Sequence, residues 1–252
     1  MPYTSESSPA YQAALRWLFA QTRNGAPRSL ERVQRLVIRL GLASPQNVVH
    51  VVGTNGKGSV TAMVAAGLTA AGIRTGRFVS PHVVAFRERV AVDGRWISEA
   101  EVLEFVRALP ALEPPPAFFE LVLALALEHF ARENVHTAVV EAGVGAKHDA
   151  TRALENVRAV VLTNVGCDHL DTLGPTLKDV ALDKADAIRP GVPTLTAATG
   201  EALAVIARVA TERGSPLRVL SAENSLFSPP EEVEAPHYEI LNRGLAAATL
   251  RL

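Results

Sequence analysis

The chain is poor in cysteine, in aromatic residues and in net charge. Cys167 is the single cysteine of 252 residues, which excludes an internal disulfide framework and a four-cysteine zinc site. Lysine and arginine (25) nearly balance aspartate and glutamate (26), so the net charge is −1 and no global basic field exists to hold nucleic acid or an anionic membrane. Long apolar runs are missing too. The longest clean one, Leu121 to Leu127, is far too short to span a bilayer. The start, Met1-Pro2-Tyr3-Thr4-Ser5-Glu6, lacks the basic and apolar stretches of a signal peptide, so a cytoplasmic location is expected. Aliphatic residues are plentiful: 48% of the chain is hydrophobic, enough for one large core or two modest ones.

Two helical patterns come first. Tyr11 to Gln21 puts Leu15, Leu18 and Phe19 on one face; Ser29 to Leu40 opens on a capping serine and spaces Val33, Leu36, Val37 and Leu40 at helical intervals. Val48 to Val52 is a buried strand by its β-branched run, followed by a glycine-rich turn and a helix from about Ser59 to Ala71. Strands are then expected at Thr75 to Val79, Arg87 to Val92, His136 to Glu141, Arg158 to Asn164, Val192 to Leu195 and Leu217 to Leu220. Arg87 to Val92 reads as a strand or half of a hairpin, with Asp93-Gly94 as its turn. Helices are expected at Ser98 to Leu109 (with Glu101 at the capping-box position), Phe118 to Arg132, Thr176 to Ile188 and Glu201 to Arg213. This alternation predicts an α/β fold: a mostly parallel sheet with helices on both faces. Residues 1–227 form one domain in this reading. Residues 228–252 are an acidic, proline-containing linker from Ser228 to Pro236 and a terminal helix, whose Ala246, Ala247, Ala248, Leu250 and Leu252 need something to pack on.

The strongest chemical signal is Gly53-Thr54-Asn55-Gly56-Lys57-Gly58-Ser59, between a strand and a helix. Glycines let successive N–H groups point at one anion, and the helix N-terminus adds partial positive charge. Lys57 would bridge the outer phosphates and Ser59 would offer a hydroxyl; Gly58, which separates them, departs from the strict Walker pattern. Three further motifs follow strands: Ser80-Pro81-His82; Glu141 with the glycine-rich run to Thr151; and Thr163-Asn164-Val165-Gly166-Cys167-Asp168-His169. In a parallel sheet ligands collect at the carboxyl ends of strands, so all four face one crevice. A carboxylate such as Glu141 at a strand end is costly to bury unless it meets a cation or a donor, and magnesium is the natural partner near a phosphate loop. Each of the three has a plainer alternative: a proline-set turn, a structural glutamate, a structural histidine. Lys184, fifteen residues past His169 and beside Asp183, reads alone as part of a solvated helix face.

Together these motifs, with Phe118-Phe119-Glu120 and Asp149-Ala150-Thr151, resemble the folylpolyglutamate synthase / dihydrofolate synthase family, a branch of the Mur-type ligases. The resemblance runs in order from about Trp17 to Pro193. It implies a P-loop central domain of the Mur-ligase kind and a ligase that uses ATP to make an acyl phosphate on a pterin or folate carboxylate, then joins L-glutamate as an amide. It implies ATP contacts at Gly53, Thr54, Asn55, Gly56, Lys57, Gly58, Ser59 and Asn242, and the use of two Mg2+ ions, the first at Ser80 and Glu141 and the second at His169. Lys57, Lys184 and His169 would be the catalytic residues, Lys184 as a carbamate that helps hold magnesium. Phe118, Phe119, Glu120, His148, Asp149 and Ala150 would contact the pterin substrate.

Several positions depart from that family. The third motif reads Gly145-Ala146-Lys147, Arg152 stands where asparagine is common, and Asp183 and Asp186 replace a glutamate and a glycine. Of the folate-binding segment at Asn24 to Arg32, only Leu30-Glu31-Arg32 is kept. The resemblance implies a further C-terminal domain, which these 252 residues are expected to lack. A monomer is expected, a separate chain supplying that domain being the alternative. Two other functions stay open: a catalytically incomplete ATP- and folate-binding fragment or paralogue, and another Mur-type ligase acting on a cell-wall precursor.

Overall fold

The computed structural model describes residues 7–21, 29–113, 115–221 and 236–252. The expected linker from Ser228 lies outside these except for Pro236, and so does the segment Asn24 to Arg28. Helices α1 (Pro9–Ala20) and α2 (Leu30–Arg39) precede the first strand, β1 (Asn47–Val52). Ser29 caps α2, its hydroxyl accepting from Arg32 N. Helix α3 (Lys57–Ala70) leads to β2 (Thr75–Phe78), β3 (Val90–Val92) and β4 (Arg95–Trp96). Helix α4 (Glu99–Ala108) has the expected capping box of Ser98 and Glu101, and α5 (Phe118–Arg132) has the expected bounds. The remaining elements are β5 (Thr137–Glu141), β6 (Val157–Leu162), the short α6 (Leu170–Leu173), α7 (Leu177–Ala185), β7 (Thr194–Thr196), α8 (Gly200–Glu212), β8 (Leu217–Val219) and α9 (His237–Thr249).

The strands form one sheet in the order β4-β3-β2-β5-β1-β6-β7-β8. The six strands from β2 to β8 in that order run parallel, and β3 and β4 add an antiparallel edge. β1 sits near the centre with alternate residues facing opposite layers. Val48 packs with the core of α1, α2, α4 and α5, and Val52 with that of α7 and α8. Val49 and Val51 pack with α3 and α9 on the other face. Leu121 to Leu127 is buried throughout, as a helix apolar on all sides must be. Leu245, Ala246 and Ala248 of α9 join Val60 and Val64 of α3 in one core, while Leu250 and Leu252 stay exposed.

Three expectations are corrected. Of the strand expected at Arg87 to Val92 only Val90–Val92 forms, as half of a hairpin with β4 across Asp93-Gly94; Arg87 to Arg89 belong to a 3-10 turn (Phe86–Arg89), because Glu88 N and Val90 N bond back to Ala85 O and Arg87 O. Helix α3 begins at Lys57, so Lys57, Gly58 and Ser59 all belong to its first turn, with their N–H groups free of intrahelical partners. Phe19 is not on the core face of α1; Tyr11, Ala14 and Leu18 are, and Phe19 is 47% exposed.

Candidate active site

The sheet order makes β2, β5, β1 and β6 neighbours, so the segments after them meet at one edge. After β1 comes the glycine loop. Gly56 caps α3 with φ +81°, a left-handed conformation that suits glycine. Gly53 has φ +153°, and a Cβ there would lie 1.9 Å from Thr163 Oγ1. The segment after β6 braces the loop. Thr163 Oγ1 donates to Asn55 O (2.6 Å), Asn55 N donates to Asn164 Oδ1 (2.8 Å), and Thr54 N donates to Asn164 O (2.9 Å). Lys57 curls over it, Nζ donating to Thr54 O at 3.1 Å. Asn242 of α9 lies against the same loop: a Cβ on Gly56 would be 2.3 Å from its Oδ1.

Ser80 and Glu141 come together beside the loop, Ser80 N donating to Glu141 Oε2 at 3.1 Å. A Cβ on Gly58 would lie 3.5 Å from that same oxygen. Burial pushes the Glu141 carboxyl up to about 7, against the opposing pull of the Ser80 N–H, Lys57 and Arg89. Lys184, 1% exposed, is no solvated side chain; its Nζ donates to Gly53 O at 3.0 Å. Burial and the charge of Lys57 bring its ammonium down to about 8, against the pull of Asp183, Asp168 and Asp149.

A cleft of about 710 Å³ opens in front of Lys57 and Ser80, lined also by Phe118, Phe119, Glu120, His148, Asp149, Ala150, Asp168 and His169. Thus all six residues expected to contact substrate share one cleft. Phe118 stacks on Phe19 with ring centroids 4.8 Å apart, and Phe119 meets Phe78 edge-on. The Glu120 carboxylate is already engaged: Arg32 Nε donates to it at 2.8 Å and Ala117 N at 2.9 Å. His169 has φ +51° at the start of α6, with Nε2 3.5 Å from Asp168 Oδ2.

Sequence reasoning missed Phe19 and Gln21, which also line the cleft, and Arg89 beside it. Arg89 is buried; it donates to Ser80 Oγ and His82 Nδ1, both at 2.8 Å, and lies 5.2 Å over the Phe118 ring. Nothing in the local pattern distinguished it from the exposed Arg95, since its partners come only with the turn. A buried guanidinium beside the cleft suits an anionic substrate group.

Among the described residues no group of three or more His, Cys, Asp or Glu side chains is placed to hold a metal unaided. Magnesium keeps waters and binds through one or two carboxylates plus substrate phosphates. A buried carboxylate at the first turn of a phosphate-loop helix, next to a serine, fits that demand.

Residues 51–190 match the model of the Mur ligase middle domain. A dihydrofolate synthase/folylpolyglutamate synthase of Bacillus subtilis is 36% identical over 230 residues, covering 87% of this chain and 53% of the relative. The chain therefore spans about half of that relative's length. Among solved structures, the FPGS–AMPPCP–folate complex superposes with a TM-score of 0.86 at 27% identity, covering 96% of this chain and 66% of the other. Escherichia coli FolC in complex with DHPP and ADP does so at 0.82 and 28%, covering 97% and 63%.

Proposed function

The chain belongs to the Mur ligase middle-domain family, in its folylpolyglutamate and dihydrofolate synthase branch, and from that premise we propose that its site carries out ATP-dependent amide formation. The carboxylate of dihydropteroate or of a folate attacks the γ-phosphorus of ATP; ADP leaves and an acyl phosphate forms. The amine of L-glutamate attacks the acyl carbon, inorganic phosphate leaves and the amine's proton passes to solvent, giving the amide. The observation that carries this reading is the convergence at one sheet edge of the phosphate loop, the Ser80–Glu141 pair and the buried Lys184.

In this reading the N–H groups at the start of α3 cradle the ATP phosphates and Lys57 turns from Thr54 O to the outer ones. Asn242 steadies the loop through Gly56. Ser80 and Glu141 would hold one magnesium and His169 a second, and magnesium there would offset the charge of the phosphates. Lys184 serves as a carbamate, an anion that helps to hold magnesium, and the lowered proton affinity of its amine makes the neutral, carbamate-forming form accessible. Phe118 and Phe119 bring aromatic rings to the pterin site, whose lining also includes His148, Asp149 and Ala150. Arg89 receives the carboxylate or acyl phosphate. The reading also takes the protein as a cytoplasmic monomer. No helix of the described residues is long and apolar enough to cross a membrane. Residues 1–227 would be the ATP-binding unit, with α9 closing it after the linker.

The test is ADP release by the purified 252-residue chain with ATP, magnesium, dihydropteroate and glutamate. Glutamate-dependent release that is lost in Lys57→Ala supports the ligase. ATP binding that Lys57→Ala abolishes, without turnover, supports a binding unit. That second reading draws on the share of the B. subtilis relative that the chain spans, 53%.

A further inference from the structure

His50 lies in the middle of β1, three residues before Gly53, and is fully buried. On that face its neighbours in the strand are Val48 and Val52, and for packing alone a third β-branched residue would serve. A buried imidazole needs a partner. Its Nε2 lies 2.8 Å from Thr151 Oγ1, while its buried Nδ1 has none.

The direction of these bonds follows from proton counting. The Thr151 hydroxyl donates to Asp149 Oδ1 at 2.6 Å, and a hydroxyl has one proton to give. His50 Nε2 must therefore carry the proton and donate to Thr151. Burial, reinforced by the charge of Arg152, brings the ring's pKa down to about 4, which keeps it neutral at ordinary pH. At the far end, Asp149 Oδ1 also accepts from Thr151 N (3.0 Å), and Oδ2 accepts from Gly143 N (3.1 Å) and Val144 N (3.0 Å). Four donors match the roughly four lone-pair directions of a carboxylate. Asp149, Gly143 and Val144 are all part of the cleft wall.

We infer that His50 is a positioning residue: through the Thr151 hydroxyl it fixes the Asp149 carboxylate, and with it the Gly143–Val144 wall on which the substrate rests. The strand that carries the phosphate loop thereby also sets the shape of the cleft wall that follows its neighbour β5. For the nature of the ligand, a pterin acid, this rests on the proposed function.

Two readouts test it, on the full chain. The first needs no ligand: amide exchange at Gly143 and Val144 speeds up about tenfold in Thr151→Val, which keeps the shape and removes the hydroxyl, and stays as in the wild type in Thr151→Ser. The second is a pair of dissociation constants. Thr151→Val weakens dihydropteroate about tenfold and leaves a non-hydrolysable ATP analogue unchanged, and Thr151→Ser restores the first. His50→Gln, which keeps a side-chain N–H, follows Thr151→Ser, and His50→Leu follows Thr151→Val; should His50→Leu not fold, the threonine pair decides. Equal behaviour of Thr151→Val and Thr151→Ser, or parallel loss of both ligands, overturns the inference while dihydropteroate binding by the wild type leaves the ligand reading standing. A wild-type chain that binds no dihydropteroate sinks the ligand reading and this inference with it.

Discussion

Arg152 Nε donates to Asp186 Oδ2 at 3.0 Å, bridging the turn after Asp149 and the end of α7. Arg213 NH2 reaches the other carboxylate oxygen at 2.8 Å. Two positions that the resemblance marked as departures, Arg152 and Asp186, thus contact each other. Asp183, another, is likewise matched locally: its Oδ1 accepts from Ala146 N at 2.7 Å.

Replacing Asp186 with alanine leaves two partly buried guanidinia without their carboxylate. About 2 kcal/mol of stability at neutral pH should be lost in urea unfolding. The pH dependence has a definite sign. Burial pulls the Asp186 carboxyl upward, but Arg213 and Arg152 outweigh it and hold it below its ordinary value. The stabilisation is therefore full above the unfolded pKa of about 3.9 and fades as pH falls through the lower folded value. Wild type and Asp186→Ala should converge in stability toward acid and differ most at neutral pH; a constant gap would refute the account.

Gly53→Ala should cost both stability and nucleotide binding. The new Cβ would fall 1.9 Å from Thr163 Oγ1, the hydroxyl that braces Asn55 O. Either the loop or β6 has to move, at roughly 1–3 kcal/mol for the strain alone. Thermal unfolding and nucleotide titration measure the two losses. Gly72→Ala is the control for a positive-φ glycine away from the site, with nothing within 4 Å of its added Cβ. It should bind nucleotide as the wild type does.

How far the site was legible depended on how local its determinants are. The phosphate loop, the Ser98–Glu101 capping box and α5 are written in adjacent residues, and each formed as expected. Arg32 is different, because its partner Glu120 is 88 residues away. His50 was hidden for the same reason, since Thr151 lies 101 residues on. Lys184 looked solvated because its neighbours Asp183 and Asp186 are charged, yet those carboxylates turn to Ala146 N and to arginines while the lysine is buried under the phosphate loop. Arg87 to Arg89 misled because the apolar strand residues Val90 to Val92 follow them directly, whereas hydrogen bonds within the turn decide its shape.

Glu141→Gln should raise the stability of the ligand-free, metal-free chain above pH 7. Because burial pushes this carboxyl up to about 7, the folded state binds its proton more tightly than the unfolded state does. The folded chain therefore loses stability as pH rises from the unfolded pKa of about 4.3 through about 7, and it stays lower beyond. Glutamine removes that loss while keeping an oxygen for the Ser80 N–H. Melting temperatures of both proteins from pH 5 to 8, in chelator, would show the gap opening in favour of the variant. The same substitution should abolish any magnesium-dependent gain in nucleotide affinity, so the variant becomes more stable and less able to bind. A variant that melts lower at every pH would show that the carboxylate is held by partners strong enough to outweigh its burial.

The last prediction concerns Lys184. A carbamate forms only from a neutral amine, and a lysine in water at pH 7 is almost wholly protonated. Here burial and the charge of Lys57 bring the ammonium down to about 8, so a substantial share of the chains holds a free amine near pH 8. Incubation with [13C]bicarbonate should give a carbamate carbon signal by NMR that grows from pH 7 to pH 8.5. It should vanish in Lys184→Arg, whose guanidinium stays protonated. The Lys57→Ala variant separates the causes: it removes one repelling cation, so the Lys184 amine should hold its proton more strongly and the signal should weaken at fixed pH. A signal that persists in Lys184→Arg would place the carbamate elsewhere. No signal in the wild type at any pH would leave Lys184 as an ammonium bound to Gly53 O, with a structural role in the loop and none in holding magnesium.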